Sequence, residues 1–366
     1  MRYKSSSLKD LISFISKGIV PKYANSHDEN VIRVINQRCN RNGEITFKEA
    51  RYSDLSKRKV TNEKLLKNKD ILINSTGKGT AGRVAQISEN QLAEPTTVDG
   101  HMIIIRPSEK IDPDYLGYAL KAQQRVIESY AEGSTGQTEI NKQRLLDETI
   151  IKYPSKEEQR KIANIFINLD MKIKNNQKIN TNLFELASII FQQSFNCNGN
   201  IPLSHYFLPK RGKNLLKKNV EPGAVPVVAG GLKPAAYHNI SNTETPVITI
   251  SASGANAGYV QIWGQKVWSS DSSYIDSSIT DNIYFWYIFL KSRQKQIFDA
   301  QTGSAQPHIY PKHIGNLLIS ELDEEQVQSF NKKVTPIFEK IFQNQRNNSV
   351  MEDVKNSLLY KFFNDY

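Results

Sequence analysis

Residues 155–194 read SKEEQRKIANIFINLDMKIKNNQKINTNLFELASIIFQQS. Ser155, with Glu158 three residues later, forms an S-x-x-E capping box. The hydroxyl accepts the N3 amide and the glutamate reaches back, so a helix starts here. Apolar residues then recur at Ile162, Phe166, Leu169, Ile173, Leu183, Ala187 and Ile190, with Asn176 and Asn180 filling the gap. The steps alternate between four and three, a heptad seam, which predicts a helix packed along another helix over most of its length. A second such helix begins at Asp323, with Gln326 at N3. Its seam runs Val327, Phe330, Val334, Ile337, Ile341, Asn344, Asn348, Met351, Lys355, Leu358 and Phe362. Asn176 and Asn180 fall on Asn344 and Asn348 at an offset of 168 residues. A buried asparagine needs a polar partner, and once it has one it fixes register. An antiparallel pair would set Asn176 against Asn348 and Asn180 against Asn344, and duplicated halves related by a two-fold axis give that pairing. Forty residues make a rod of roughly 60 Å. Pro336 removes one hydrogen bond, so a kink is expected there. The plainer alternative is two amphipathic helices in an ordinary bundle.

Working outward, the whole chain is written twice. Ser75, Gly82 and Val84 match Ser251, Gly258 and Val260 at an offset of 176; Gly133-Ser134-Thr135-Gly136-Gln137 matches Gly303-Ser304-Ala305-Gln306; Glu157-Glu158-Gln159 matches Glu324-Glu325-Gln326. Loops of different length account for the drift in offset. Each half has a mixed region with short β-rich runs, such as Ile71-Leu72-Ile73, Met102-Ile103-Ile104-Ile105 and Val247-Ile248-Thr249-Ile250, bounded by turn residues. A helix is expected near Tyr115–Tyr130 and near Ile283–Phe298, and a long helix follows. The pattern is mixed α/β (α+β), not a regular βαβ series.

The 366 residues carry a formal net charge of +11, split +8 over residues 1–196 and +3 over 197–366. With 39% hydrophobic residues the chain holds enough apolar material for real cores. The charge makes a polyanionic partner plausible. No run of 18 apolar residues occurs, so no membrane span is expected, and the first residues lack a signal-peptide core. Cys39 and Cys197 stand far apart without a CxxC, which excludes a disulfide scaffold and suits a reducing cytoplasm.

The duplicated loops of Gly-Ser-x-Gln type, each leading into a capped helix with Glu-Glu-Gln near its start, make the chain similar to the specificity (S) subunit of type I restriction–modification systems. The stretch Pro154…Glu157-Glu158-Gln159-Arg160-Lys161-Ile162-Ala163 and the pair Leu169-Asp170 add to the resemblance. It implies target-recognition domains at 1–153 and 198–320, each reading half of a split site in double-stranded DNA. It implies spacer helices at 154–197 and 321–366 that form an antiparallel coiled coil and dock two methyltransferase subunits. Motor-nuclease subunits join through these. The S subunit itself is then cytoplasmic and non-catalytic and holds no cofactor; S-adenosylmethionine and ATP with Mg belong to the partners. The second copy departs from the pattern where Ser329-Phe330-Asn331-Lys332-Lys333 replaces Ile162-Ala163-Asn164-Ile165.

Several motifs bear on contact with DNA. Gly77-Lys78-Gly79-Thr80-Ala81-Gly82 is a literal G-x-G-x-x-G, but Arg83-Val84-Ala85 after it reads as a strand, so a hairpin turn is expected rather than a dinucleotide site. Lys78 and Arg83 are candidate DNA contacts on that turn. Thr135, Gln137, Thr138, Asn141, Lys142 and Arg144 follow the first Gly-Ser loop; Gln and Asn suit adenine edges and Arg suits guanine. Ser253, Asn256, Tyr259, Ser304, Gln306, His308 and Lys312 are the second-half candidates. A structural role for the loop is weighed equally, because both halves carry it. His308 and His313 have poor metal spacing across Pro311, and the three tryptophans read as core. No methyltransferase signature and no nucleophile elbow occur. The competing functions are an enzyme with an unfamiliar site in one half, and a coiled-coil scaffold or inhibitor-like assembly protein that does not read DNA.

Overall fold

A computed structural model describes residues 3–133, 138–303 and 306–363. Its helices are α1 (Pro113–Ala122), α2 (Gln124–Glu128), α3 (Lys142–Glu148), α4 (Lys156–Ser194), α5 (Ile283–Ser292), α6 (Gln294–Asp299), α7 (Pro311–Gly315) and α8 (Glu324–Phe363). The chain divides into two units. Unit 1 is Met1–Lys172 with Val350–Tyr366, and unit 2 is Ile173–Ser349. Both long helices are thus shared between the units. The helices expected near 115–130 and 283–298 are each broken into two, α1 with α2 and α5 with α6. No helix of the described residues is long and apolar enough to cross a membrane.

In unit 1 an antiparallel sheet runs in the order Ile12–Lys17, Met102–Pro107, Ile71–Asn74, Val84–Gln86. One face, through Ile71, Ile73, Ile103 and Ile105, packs on Tyr115, Leu116, Ala119 and Leu120 of α1 and on Phe166 of α4. The other face, through Leu72, Met102 and Ile104, packs on Ile35, Cys39 and Val98. Covered on both sides, these strands read as unbroken apolar runs instead of alternating. A second sheet pairs Val31–Ile35 parallel to Thr96–Val98 and antiparallel to Arg51–Asp54, which in turn pairs with Tyr23–Ala24.

Unit 2 repeats this plan, with the same strand order in the main sheet and one strand fewer in the second. Its main sheet has the order Lys210–Arg211, Ser272–Asp276, Val247–Ser251, Val260–Trp263, and it packs on α5 through Ile248, Ile250 and Ile275. Its second sheet pairs Val225–Val228 parallel to Trp268–Ser269 and antiparallel to Ala236–His238. One hydrogen bond recurs at the equivalent place. The amide of Val84 donates to Oε1 of Gln124 at 3.1 Å, and the amide of Val260 to Oε1 of Gln294 at 3.0 Å.

The long helices follow their seams. Every seam position named above is buried or half-buried. In unit 2, Nδ2 of Asn176 donates to Oδ1 of Asn348 and Nδ2 of Asn344 to Oδ1 of Asn180, both at 2.8 Å. Numbers rise along one helix as they fall along the other, so this segment is antiparallel. The other two side-chain amides, of Asn180 and Asn348, donate to the carbonyls of Ile341 and Ile173. Leaving one such group unpaired would cost about 1–3 kcal/mol. In unit 1, the seam residue Lys355 donates to Oδ1 of Asp170 at 2.9 Å, and Tyr118 of α1 donates to the other oxygen at 2.7 Å. Burial alone would lower the Lys355 pKa, but its bonds to Glu352 and Asp170 carry it above the ordinary lysine value.

The helix starts are built unequally. Ser155 Oγ accepts the Glu158 amide at 3.4 Å, while Glu158 faces Lys161 rather than closing the box. Gln159, almost wholly buried, accepts the Asp112 amide and donates to the Pro154 carbonyl, tying α4 to the start of α1. At α8, Asp323 caps the amides of Glu325 and Gln326, and Gln326 donates to the Ser194 carbonyl. The helix continues through Pro336. Neither cysteine is paired, and burial pushes the Cys197 thiol up to about 11 and raises that of Cys39. Because the thiolate is the reactive form, alkylation of the native chain at pH 8 should be far slower than after denaturation. Equal rates would contradict this packing.

Candidate nucleic-acid interface

At one end of each main sheet, a hairpin turn and a long return loop lie side by side. In unit 1 the chain leaves the buried strand Ile71–Asn74, turns through residues 75–82 and comes back as Val84–Gln86. Gly77, Gly79 and Gly82 have φ of 103°, 72° and 87°. At Gly82 a Cβ would also meet the Glu128 backbone at 2.7 Å, so only glycine fits. No helix opens after the turn, so the G-x-G-x-x-G is a hairpin and offers no helix N-terminus to a pyrophosphate.

The loop after Gly133 returns against this turn. The Gly77 amide donates to the Thr138 carbonyl at 3.3 Å, and the Ile140 amide to the Ser75 carbonyl at 2.7 Å. Lys17, at the end of the edge strand, forms an ion pair with Glu139 of the loop. His101 Nδ1 lies 2.8 Å from Thr76 Oγ1. Beneath the turn, buried Asn40 donates to Asn74 Oδ1 at 3.1 Å and to the Arg83 carbonyl at 2.9 Å.

Unit 2 places the same parts together. Gly254 donates to the Pro307 carbonyl at 3.0 Å, Ile309 to that of Ala252 at 2.9 Å, and Ser253 bridges His308.

The fate of each candidate follows from its partners. Lys78, Lys142, Gln306 and Lys312 are exposed. Thr138 lies beside the turn. Arg83 donates to the Gly79 carbonyl at 3.0 Å, closing its own turn. Asn141 is the N-cap of α3: its Oδ1 accepts the amides of Gln143 and Arg144, and its Nδ2 donates to Glu132. Arg144 is held by both oxygens of Glu148, at 2.9 and 3.0 Å, and lies over the Tyr130 ring. Asn141 and Arg144 therefore spend their polar groups on the fold rather than presenting them to bases. Ser253 donates to Asp271, Asn256 donates to the Gly230 carbonyl, and Tyr259 stacks under the Lys291 amine at 4.6 Å. His308 stacks on Tyr310 at 6.0 Å. Thr135, Gln137 and Ser304 lie outside the described residues. His313 accepts the Tyr310 amide, and burial together with Lys312 lowers its pKa, which keeps it neutral for that role. Among the described residues no group of His, Cys, Asp or Glu could hold a metal ion.

Sequence reasoning did not single out Lys17, His101, Glu139 or Arg211. They reach this face through strand order and loop return, for which no local pattern exists.

A model of the type I restriction modification DNA specificity domain matches residues 2–184. The MjaIX type I restriction enzyme specificity subunit of Methanocaldococcus jannaschii is 25% identical over 340 residues, covering 78% of this chain and 75% of that protein. A putative type I specificity subunit of Mycoplasma genitalium is 26% identical over 280 residues, covering 70% of this chain and 72% of that one. The crystal structure of a type I restriction–modification S subunit from M. genitalium superposes with a TM-score of 0.62 at 18% identity, over 100% of this chain and 97% of that one, so the two share a fold.

Proposed function

Since the chain belongs to the type I restriction modification DNA specificity family, we propose that it is the non-catalytic subunit that gives such a complex its DNA sequence choice. Each unit reads one half of an asymmetric, split site in duplex DNA. One observation carries this reading. The two units repeat a single topology in their main sheets and set the same turn and loop together at the same sheet end, yet they differ at the tip of the turn: exposed Lys78 in one, Gly254 in the other. Repeated scaffolds with different tips suit two different sequences. The exposed lysines supply phosphate contacts, and polar tips in the grooves supply choice among bases.

On this reading α4 and α8 form an antiparallel coiled coil that sets the distance between the two DNA segments and docks two adenine-methyltransferase subunits. Motor-nuclease subunits join through these, and S-adenosylmethionine, ATP and Mg are bound by the partners. The whole acts in the cytoplasm. Apolar side chains off the α4 seam support the docking role: Ile179, Leu186 and Ile189 are 43%, 46% and 51% exposed. Replacing Leu186 and Ile189 together by glutamate is expected to lower co-purification of the methyltransferase more than tenfold while the chain stays folded, as read by pull-down and circular dichroism.

A titration of the full chain against duplex DNA at rising salt tests the DNA reading. Several phosphate contacts give a fall in log K with log salt of several units, at about 0.9 per contact. A flat response would favour a scaffold that does not touch DNA.

A further inference from the structure

An arginine reads guanine by donating two parallel N–H bonds to O6 and N7 in the major groove, which requires an unspent guanidinium. Unit 2 contains three arginines: Arg211, Arg293 and Arg346. Arg293 donates to the Cys197 carbonyl at 2.9 Å and to Asn198 Oδ1 at 3.2 Å. Arg346 lines a cavity of about 610 Å³ with Thr245 and Pro246, at the Val247 end of the strand Val247–Ser251, whereas the turn and loop lie at the Ser251 end.

Arg211 differs from both. It is exposed on the edge strand Lys210–Arg211 and makes no hydrogen bond or ion pair among the described residues. Its guanidinium carbon stands 5.5 Å from the centre of the Tyr310 ring, which stacks on His308, and His308 is bridged to Ser253 of the turn. A ring face fixes the plane and position of a guanidinium without consuming its N–H groups. The fork is therefore held against the recognition loop with its donors free.

Unit 1 puts a cation at the equivalent edge and spends it. Lys17 pairs with Glu139 of the loop. The nearby Arg83 and Arg144 are occupied by the Gly79 carbonyl and by Glu148.

We propose that Arg211 determines specificity by reading a guanine in the half-site recognised by unit 2, with Tyr310 as the residue that positions it. This rests on the DNA-reading function proposed above.

The test uses the full chain in complex with its methyltransferase partner and a library of duplexes randomised across both half-sites. The wild-type complex should require a guanine in one half-site. Both R211A and R211K should relax that single position by about tenfold or more, leaving the other half-site as selective as before. R211K keeps the charge but loses the fork, so its salt slope should match the wild type. Y310L should relax the same position more weakly. A uniform loss across all sequences, with a salt slope smaller by about 0.9 in R211A, would mark a phosphate contact and overturn the proposal. So would an unchanged preference, or a site in which neither half requires guanine. A wild-type complex with no split preference at all would defeat the DNA-reading function itself. Two half-sites read normally by the Arg211 variants would defeat only the assignment to Arg211.

Discussion

Replacing Phe166 by alanine is expected to destabilise unit 1 by about 3–5 kcal/mol. The ring is fully buried, 4.9 Å from Tyr118 of α1 and 6.2 and 5.9 Å from Phe362 and Phe363 at the end of α8. It therefore joins α1, α4 and α8 in one cluster, and its removal leaves a cavity that three elements would have to close. A domain is stable by only about 5–15 kcal/mol, so the loss is a large share of the total. Hydrogen exchange should report it as reduced protection in α1 and in the strand Ile71–Asn74. The three tryptophans, Trp263, Trp268 and Trp286, all lie in unit 2. Their fluorescence transition in denaturant should move much less than the exchange in unit 1. Full protection retained in α1 would show that Phe166 does not hold these elements together.

The second large effect concerns distance. Removing residues 171–177 and 347–353 together deletes one heptad from each helix at facing layers. This takes out the pair Asn176 and Asn348, but it keeps Asn180 with Asn344, Lys355 with Asp170, and Phe342. Seven residues are nearly two turns, so the seams stay in phase to within about 20°. The helix pair shortens by about 10 Å, close to three base pairs at about 3.4 Å per step. The methylated site should keep both half-sequences and lose about three base pairs from the unread spacer, and methylation of the original site should fall to background. An unchanged spacer would remove the helices from the measuring role.

Much of this organisation was legible in the sequence because it is local. A heptad seam is a local pattern, and its positions, from Ile162 and Phe166 to Met351 and Leu358, are covered in the structure. The pairing of Asn176 with Asn348 follows from symmetry of the two seams. Phe338 and Phe342 were missed because they lie off the seam. Phe338 stacks on Tyr284 at 4.5 Å and 8°, and Phe342 sits where a Cβ on Gly264 would clash. A helix that packs both on a helix and on the α5 and sheet layer of its unit has two apolar faces, and a single period describes only the stronger. The second sheets escaped for a different reason. Strands as short as Trp268–Ser269, paired in parallel with residues some forty positions away, leave no periodic trace.

The candidate site was legible as segments rather than as side chains. Turn and loop were both noted, but that they touch depends on backbone bonds such as Gly77 to Thr138. Residue type makes Asn141 and Arg144 candidates for base contacts, with a structural role weighed equally. The helix start after Asn141 and the i,i+4 spacing of Arg144 and Glu148 already pointed to cap and ion pair. Arg211 had no local mark, because its neighbours come from the far end of the unit.

The most direct measurement of the central claim is a genome-wide map of methylated adenine in cells that make the methyltransferase, with and without this chain. A DNA specificity subunit predicts one additional motif in the presence of the chain: two defined half-sequences that differ from each other, separated by a fixed number of unread bases. The motif should vanish when the chain is removed. An identical map in both cells, or a single continuous motif, would contradict the account.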